Sequence, residues 1–148
     1  MALLLSDKEH LQYTIVIIKC QKHMVNKQTR VVIVEDDQSI IDIYKFKLEH
    51  EGFAVTEAHD GQEGLQIIKE FDPELILLDL RMPVMSGDVM LAHLRATDWG
   101  SDIKVIVLTN ISKDEAPPGL RFLNVDRYIV KAHHTPNQVV EVIREVLG

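Results

Sequence analysis

The segment VVIVEDDQSIIDIYKFKLEHEGFAVT, Val31 to Thr56, decides the fold. It opens on one β-branched apolar run, Val31 to Val34, and closes on another, Phe53 to Thr56. Between them Ile40, Ile41, Tyr44 and Leu48 recur at the spacing of one helix face, and Gly52 supplies the stop. Strand, helix and strand in so short a span make a βαβ unit, whose two strands run parallel. The uninterrupted apolar run of the first strand is what a strand covered on both faces requires.

Working outward, the pattern repeats. Leu75 to Leu78, Ile103 to Leu108 and Arg127 to Val130 bring the strands to five. A second helix holds Leu65, Ile67 and Ile68 and must end before Pro73; a third holds Val89, Leu91 and Leu94. In the last helix Thr135 caps, Pro136 fills the first turn, and Val139, Val140, Ile143 and Val146 form the apolar face. The expectation is a doubly wound α/β domain over residues 30–148, with helices on both faces of the sheet. Residues 1–29 stand outside the alternation and read as an N-terminal extension, with Met24 as the expected native start; no output domain is expected after Gly148.

At 148 residues and 46% hydrophobic, the chain can bury one core. A net charge of -7 opposes a nucleic-acid-binding surface, which needs clustered Lys and Arg. Cys20 is the single cysteine, which excludes an intrachain disulfide and a cysteine zinc cluster. The apolar run Leu11 to Ile18 is too short to cross a membrane, and the first charged residue is Asp7, where a signal peptide would be basic. A cytoplasmic protein without membrane or direct nucleic-acid binding is expected.

In an open parallel sheet the ligand site lies beyond the carboxyl ends of the strands. The first strand runs into Glu35, Asp36 and Asp37, the third into Asp79, the fourth into Thr109 and the fifth into Lys131. Carboxylates gathered on one rim repel each other unless a cation compensates them, and Mg²⁺ suits an all-oxygen set that also takes phosphate oxygens. A nucleophile, a metal site, a hydroxyl and an ammonium are the parts of a phosphoryl-transfer site. Taken singly, each has a plainer reading: Asp37 as a helix cap, Thr109 as a strand residue, Lys131 as a surface charge. His133, His134, Trp99, Met82 and Met85 read as exposed loop or packing residues.

The segments VVIVEDD (Val31 to Asp37), LILLDLRMPVMSG (Leu75 to Gly87), VIVLTN (Val105 to Asn110) and RYIVK (Arg127 to Lys131) resemble the receiver domain of two-component response regulators, in particular the stand-alone, chemotaxis-type receivers. The resemblance implies a flavodoxin-like sheet in strand order 2-1-3-4-5. It implies Asp79 as phosphoacceptor and Glu35, Asp36, Asp79 and the Arg81 backbone carbonyl as Mg²⁺ ligands. Thr109 and Lys131 are the implied contacts to the phosphoryl group, and Tyr128 the implied switch aromatic. The implied donor is a sensor histidine kinase or histidine phosphotransfer protein. The implied output is phosphorylation-dependent binding to a further protein or to a second copy, without turnover of an external substrate.

Three positions depart from the family pattern. Ala132 stands where a proline commonly follows the lysine, so either a cis bond persists or the loop takes another route. Asn110 replaces a smaller residue after Thr109. Pro117, Pro118 and Gly119 fall where a fourth helix should be under way, so that helix is expected to start late or break. Two other functions fit part of the pattern: a phosphorelay intermediate, and a Mg²⁺-dependent phosphatase of the aspartyl-phosphate type. The second typically needs an aspartate two residues after the nucleophile, where this chain has Arg81.

Overall fold

The computed structural model describes residues 6–23 and 27–148; the expected start at Met24 lies outside the described residues. Five strands, β1 (Arg30–Val34), β2 (Ala54–Ala58), β3 (Leu75–Leu78), β4 (Lys104–Thr109) and β5 (Arg127–Val130), form one sheet in the order β2-β1-β3-β4-β5. Every pairing is parallel. Among the described residues five α-helices accompany them: α1 (Asp7–His23), α2 (Gln38–His50), α3 (Gly61–Phe71), α4 (Gly87–Arg95) and α5 (Pro136–Leu147).

Because successive strand side chains point to opposite faces, each apolar run feeds two cores. On one face Val31, Ile33, Leu75, Leu77, Ile106 and Leu108 pack with Ile41, Tyr44 and Leu48 of α2 and Val139, Val140 and Ile143 of α5. On the other, Val32, Val34, Ile76, Leu78, Val105 and Val107 pack with Ile68 of α3 and Met90, Leu91 and Leu94 of α4. This double burial explains why the strands read as uninterrupted rather than alternating.

The caps follow from local chemistry. Asp37 takes the Ser39 and Ile40 N–H groups at 2.9 and 3.3 Å and so starts α2. Thr135 and Gln138 form a reciprocal capping box at the start of α5. After α2, Gly52 adopts φ 93°, open to glycine, and turns the chain into β2.

Several expectations need correction. β2 starts one residue later than Phe53 and runs to Ala58, and β4 is shifted by one to end on Thr109. Val89 is 43% exposed, while Met90 is the fully buried residue, because Met90 lies four residues from Leu94 on the inward stripe of α4 and Val89 falls off it. Between β4 and β5 no α-helix forms. Two short 3₁₀ turns, Lys113–Glu115 and Pro118–Phe122, take its place. The cause is the proline pair: each proline drives the residue before it out of the helical region, leaving Ala116 at ψ 147° and Pro117 at ψ 129°.

In α1, Leu11, Tyr13, Ile15, Val16, Ile17 and Ile18 are all exposed. No helix among the described residues is long and apolar enough to cross a membrane.

Candidate functional site

Strand register builds the rim. Val34 is paired with Leu78, and Leu78 with Val107, so the residues that follow β1 and β3 emerge side by side. Thr109 is paired with Val130, which sets Lys131 one step beyond the hydroxyl. The Asp79 N–H donates to the Val34 carbonyl at 3.0 Å, extending the ladder to the acidic residue itself. The Glu35 N–H does the same toward Ala58 at 3.0 Å.

Glu35 and Asp79 are buried and Asp36 is exposed; each offers a carboxylate oxygen, and these oxygens lie within 4.8 Å of one another. One Glu35 oxygen accepts the Asp37 N–H at 3.1 Å, and Asp79 Oδ1 accepts the Leu80 N–H at 2.7 Å. The remaining oxygens face Lys131, whose Nζ donates to Glu35 Oε2 and lies 3.4 Å from Asp79 Oδ2. Asp79 Oδ2 is thus oriented by a cation and not held by any backbone donor.

Electrostatics show how tightly the group is balanced. Burial pushes Glu35 up to about 7, with Asp79 adding to the rise and the Lys131 hydrogen bond opposing it. Burial alone would lower the Lys131 ammonium, but its hydrogen bond to Glu35 and the charges of Asp79 and Glu35 outweigh that and hold it above the usual lysine value. Three carboxylates against one ammonium leave an excess of negative charge in a largely buried, oxygen-only set. That donor set fits a hard divalent cation such as Mg²⁺.

Thr109 is 1% exposed, and its hydroxyl accepts the Ile111 N–H at 3.4 Å. With Asp79, Arg81, Asn110, Glu115 and Lys131 it borders a cleft of about 330 Å³. Asn110 is exposed at the mouth of this cleft. Tyr128 is half-buried, and its hydroxyl donates to the Ile111 carbonyl at 2.8 Å and lies 3.5 Å from that of Ser112. Burial, then the charges of Asp79 and Glu115, raise its phenol above the ordinary value.

The plainer readings also find their places. Asp37 is the α2 cap, and Met82 and Met85 pack against the α3–α4 core. His133 is exposed, and the His134 ring lies 3.4 Å from the Val130 carbonyl, so neither histidine borders the cleft. No peptide bond among the described residues is cis, and Lys131–His133 form a 3₁₀ turn, so the loop past Ala132 takes the other route.

Two contributors escaped the sequence reading. Glu115 reaches the cleft because the 3₁₀ turn, not an α-helix, carries it there. Gly87 sits so close beneath the acidic residue that a Cβ on it would lie 2.0 Å from the Asp79 carbonyl oxygen. An S-G pair at the start of a helix just after the acidic loop was the available signal.

The sequence profile of the response regulator receiver domain matches residues 31–144. The chain is 30% identical over 118 residues to the chemotaxis protein CheY of Halobacterium salinarum, an alignment covering 80% of this chain and 96% of that protein. It is 35% identical over 118 residues to the uncharacterized transcriptional regulatory protein YkoG of Bacillus subtilis, covering 78% of this chain. The chain spans only 48% of YkoG and 51% of the phosphate regulon regulator PhoB of Escherichia coli, about half the length of such relatives. Among solved structures, the CheY-like receiver domain protein of Methanospirillum hungatei is 32% identical with a TM-score of 0.72, covering 80% of this chain and 93% of that one. CheY4 of Vibrio cholerae shares the fold at a TM-score of 0.74 and 23% identity, covering 81% and 99%.

Proposed function

This chain belongs to the response regulator receiver domain family, and on that premise we propose that it accepts a phosphoryl group on Asp79 and signals by changing which proteins it binds. The observation that carries this reading is Asp79 Oδ2. It faces the Lys131 ammonium at 3.4 Å, and Asp79 shares a cleft of about 330 Å³ with the Thr109 hydroxyl.

The donor in this reading is a phosphohistidine on a sensor histidine kinase or a histidine phosphotransfer protein. Asp79 Oδ2 attacks the phosphorus in line; the new P–O bond forms as the P–N bond breaks, and the imidazole leaves with the bonding pair. Lys131 donates to one phosphoryl oxygen, giving up part of its hold on Glu35 and Asp79. The Thr109 hydroxyl donates to another. Glu35, Asp36, Asp79 and the Arg81 carbonyl would hold Mg²⁺, which when bound neutralises charge on the phosphoryl oxygens.

The output follows from the neighbours of Thr109. A hydroxyl drawn toward a phosphoryl oxygen as donor pulls with it the Ile111 N–H that it accepts, and the Ile111 carbonyl holds Tyr128. Rearrangement there biases the surface around β5 and α5 between two states, and partner binding or self-association reads out the bias. The chain catalyses its own modification and its loss, without an external substrate, and acts in the cytoplasm.

Incubation with a phosphorylated histidine kinase core tests the reading: label should move to this chain in a linkage labile to both acid and base, where the phosphohistidine of the donor survives base. Return of label to a histidine domain would extend the role to a relay. Hydrolysis of small phosphate esters with steady turnover would replace it with a phosphatase.

A further inference from the structure

We propose that the cavity at the amino ends of β3 and β4 is a docking site for a basic segment of a partner protein, which lays one arginine side chain against Trp99. This goes beyond the function proposed above and does not rest on it.

The cavity encloses about 440 Å³, within the size range of recognition pockets. Glu74, just before β3, and Lys104, at the start of β4, line it together with Leu147 at the end of α5. Asp79 and Thr109 stand at the other ends of the same two strands. The six residues of β4 span about 16 Å, so an occupant here leaves the phosphoryl cleft open.

The wall that carries Trp99 is pre-ordered. Arg95 donates to the carbonyls of Gly100, Ser101 and Ile103 at 3.0, 3.0 and 2.8 Å. Thr97 Oγ1 donates to the Leu94 carbonyl at 2.7 Å and accepts the Gly100 N–H at 3.0 Å. A Cβ at Gly100 would lie 2.3 Å from Leu94 Cδ1, so the turn packs directly on α4. Held this way, Trp99 is still 39% exposed. An aromatic presented on an ordered turn loses little freedom when a ligand covers it.

Chemistry selects the occupant. An indole face attracts cations more strongly than the other aromatic side chains do. Asp98 and Asp102 border the same cavity, both are exposed, and neither joins an ion pair among the described residues. The other charges at the cavity are taken. Glu74 accepts the Arg30 N–H at 2.6 Å and lies 3.3 Å from the Arg30 guanidinium, and Lys104 Nζ lies 3.5 Å from Asp126. Arg95, half-buried beneath the turn, spends its donors on loop carbonyls. The uncommitted charge is therefore negative, and it flanks the indole. Pro73, Ile103 and Leu147 add an apolar wall. Arginine satisfies all three parts: its planar guanidinium stacks on the indole, its N–H fork reaches carboxylates, and its stem covers apolar surface. An acidic segment or a nucleic acid would be repelled.

Trp99 is the single tryptophan of the chain, so its emission reports on this cavity alone. The test titrates the full chain with a short peptide that carries one arginine between two lysines, following Trp99 emission and, with a labelled peptide, anisotropy. The peptide should bind with a saturating change in Trp99 emission, and salt should weaken it. Glutamine in place of the peptide's arginine, Trp99→Ala read by anisotropy, and Asp98→Asn combined with Asp102→Asn should each weaken binding about tenfold. Asp42→Asn combined with Asp114→Asn, an equal charge change at exposed positions outside the cavity, should not. Absence of saturation at about 1 mM peptide, binding that leaves Trp99 emission unmoved, or indifference to the Asp98 and Asp102 changes would overturn the proposal. So would an equal response to free arginine, which gives the cavity to a small molecule. Emission that instead shifts with chain concentration alone, and no longer does so in the Asp98 and Asp102 variant, would give it to a second copy and overturn the proposal too.

Discussion

Gly87 packs directly against Asp79: its N–H donates to the Leu80 carbonyl at 3.0 Å, and a Cβ at this position would lie 2.0 Å from the Asp79 carbonyl oxygen. The start of α4 therefore supports the acidic loop from below. Gly87→Ala must displace backbone on one side or the other. A destabilisation of about 3 kcal/mol is expected in urea denaturation, together with impaired phosphoryl acceptance, because the displaced backbone is that of Asp79.

Arg95 ties two loops to α4. Its guanidinium donates to the carbonyls of Gly100, Ser101, Ile103, Leu123 and Asn124 at 2.8 to 3.0 Å. Lysine offers fewer donors and no planar fork. Arg95→Lys should cost roughly 2 kcal/mol, through carbonyls left without a charged donor. Hydrogen exchange should speed up around residues 100–103 and 123–125 before it does in β1 or β3.

The sheet was legible because each strand is short, apolar and double-faced, so Val31 to Val34 and Leu75 to Leu78 admit little else. The rim residues were legible for a different reason. Glu35, Asp79, Thr109 and Lys131 each follow or end a strand, and parallel register then brings them together whatever the loops do. What stayed hidden depends on geometry across sequence distance. The carbonyls that Arg95 binds are offered by two separate loops, and no local pattern announces them. Val89 and Met90 are adjacent and both apolar, so hydrophobicity alone does not say which one joins Leu91 and Leu94 on the buried stripe. The proline pair signalled a disturbed helix, but not that Glu115 would thereby reach the cleft.

Stability of the metal-free chain should depend on pH through Glu35. Burial raises its carboxyl from 4.5 to about 7 in the folded state. Between those values the folded chain holds a proton that the unfolded chain has released, so stability falls as pH rises across that window. The loss is on the order of 3 kcal/mol by the upper end. Glu35→Gln should flatten this dependence in denaturation midpoints measured across the window. Mg²⁺ should restore stability at the upper end, because a cation that binds the ionised, folded site favours it by mass action.

The Tyr128 hydroxyl ties β5 to the turn after β4 through the Ile111 carbonyl at 2.8 Å. Tyr128→Phe keeps the ring and removes this bond. A loss of about 1 kcal/mol is expected, with faster hydrogen exchange over residues 111–116 and a weaker response of that segment to phosphorylation. Unchanged exchange there would show that the hydroxyl does not restrain the turn.

Phosphoryl incorporation from acetyl phosphate, with and without Mg²⁺, tests the assignment of Asp79 most directly. The intact chain should label only with the metal present, on the peptide that contains Asp79. Asp79→Asn, which lacks the attacking oxygen, should not label at all. Asp36→Asn should label slowly and need more Mg²⁺, and Lys131→Ala should label poorly with its nucleophile intact. Labelling that ignores Mg²⁺, or that persists at another residue in Asp79→Asn, would contradict Asp79 as the phosphoacceptor.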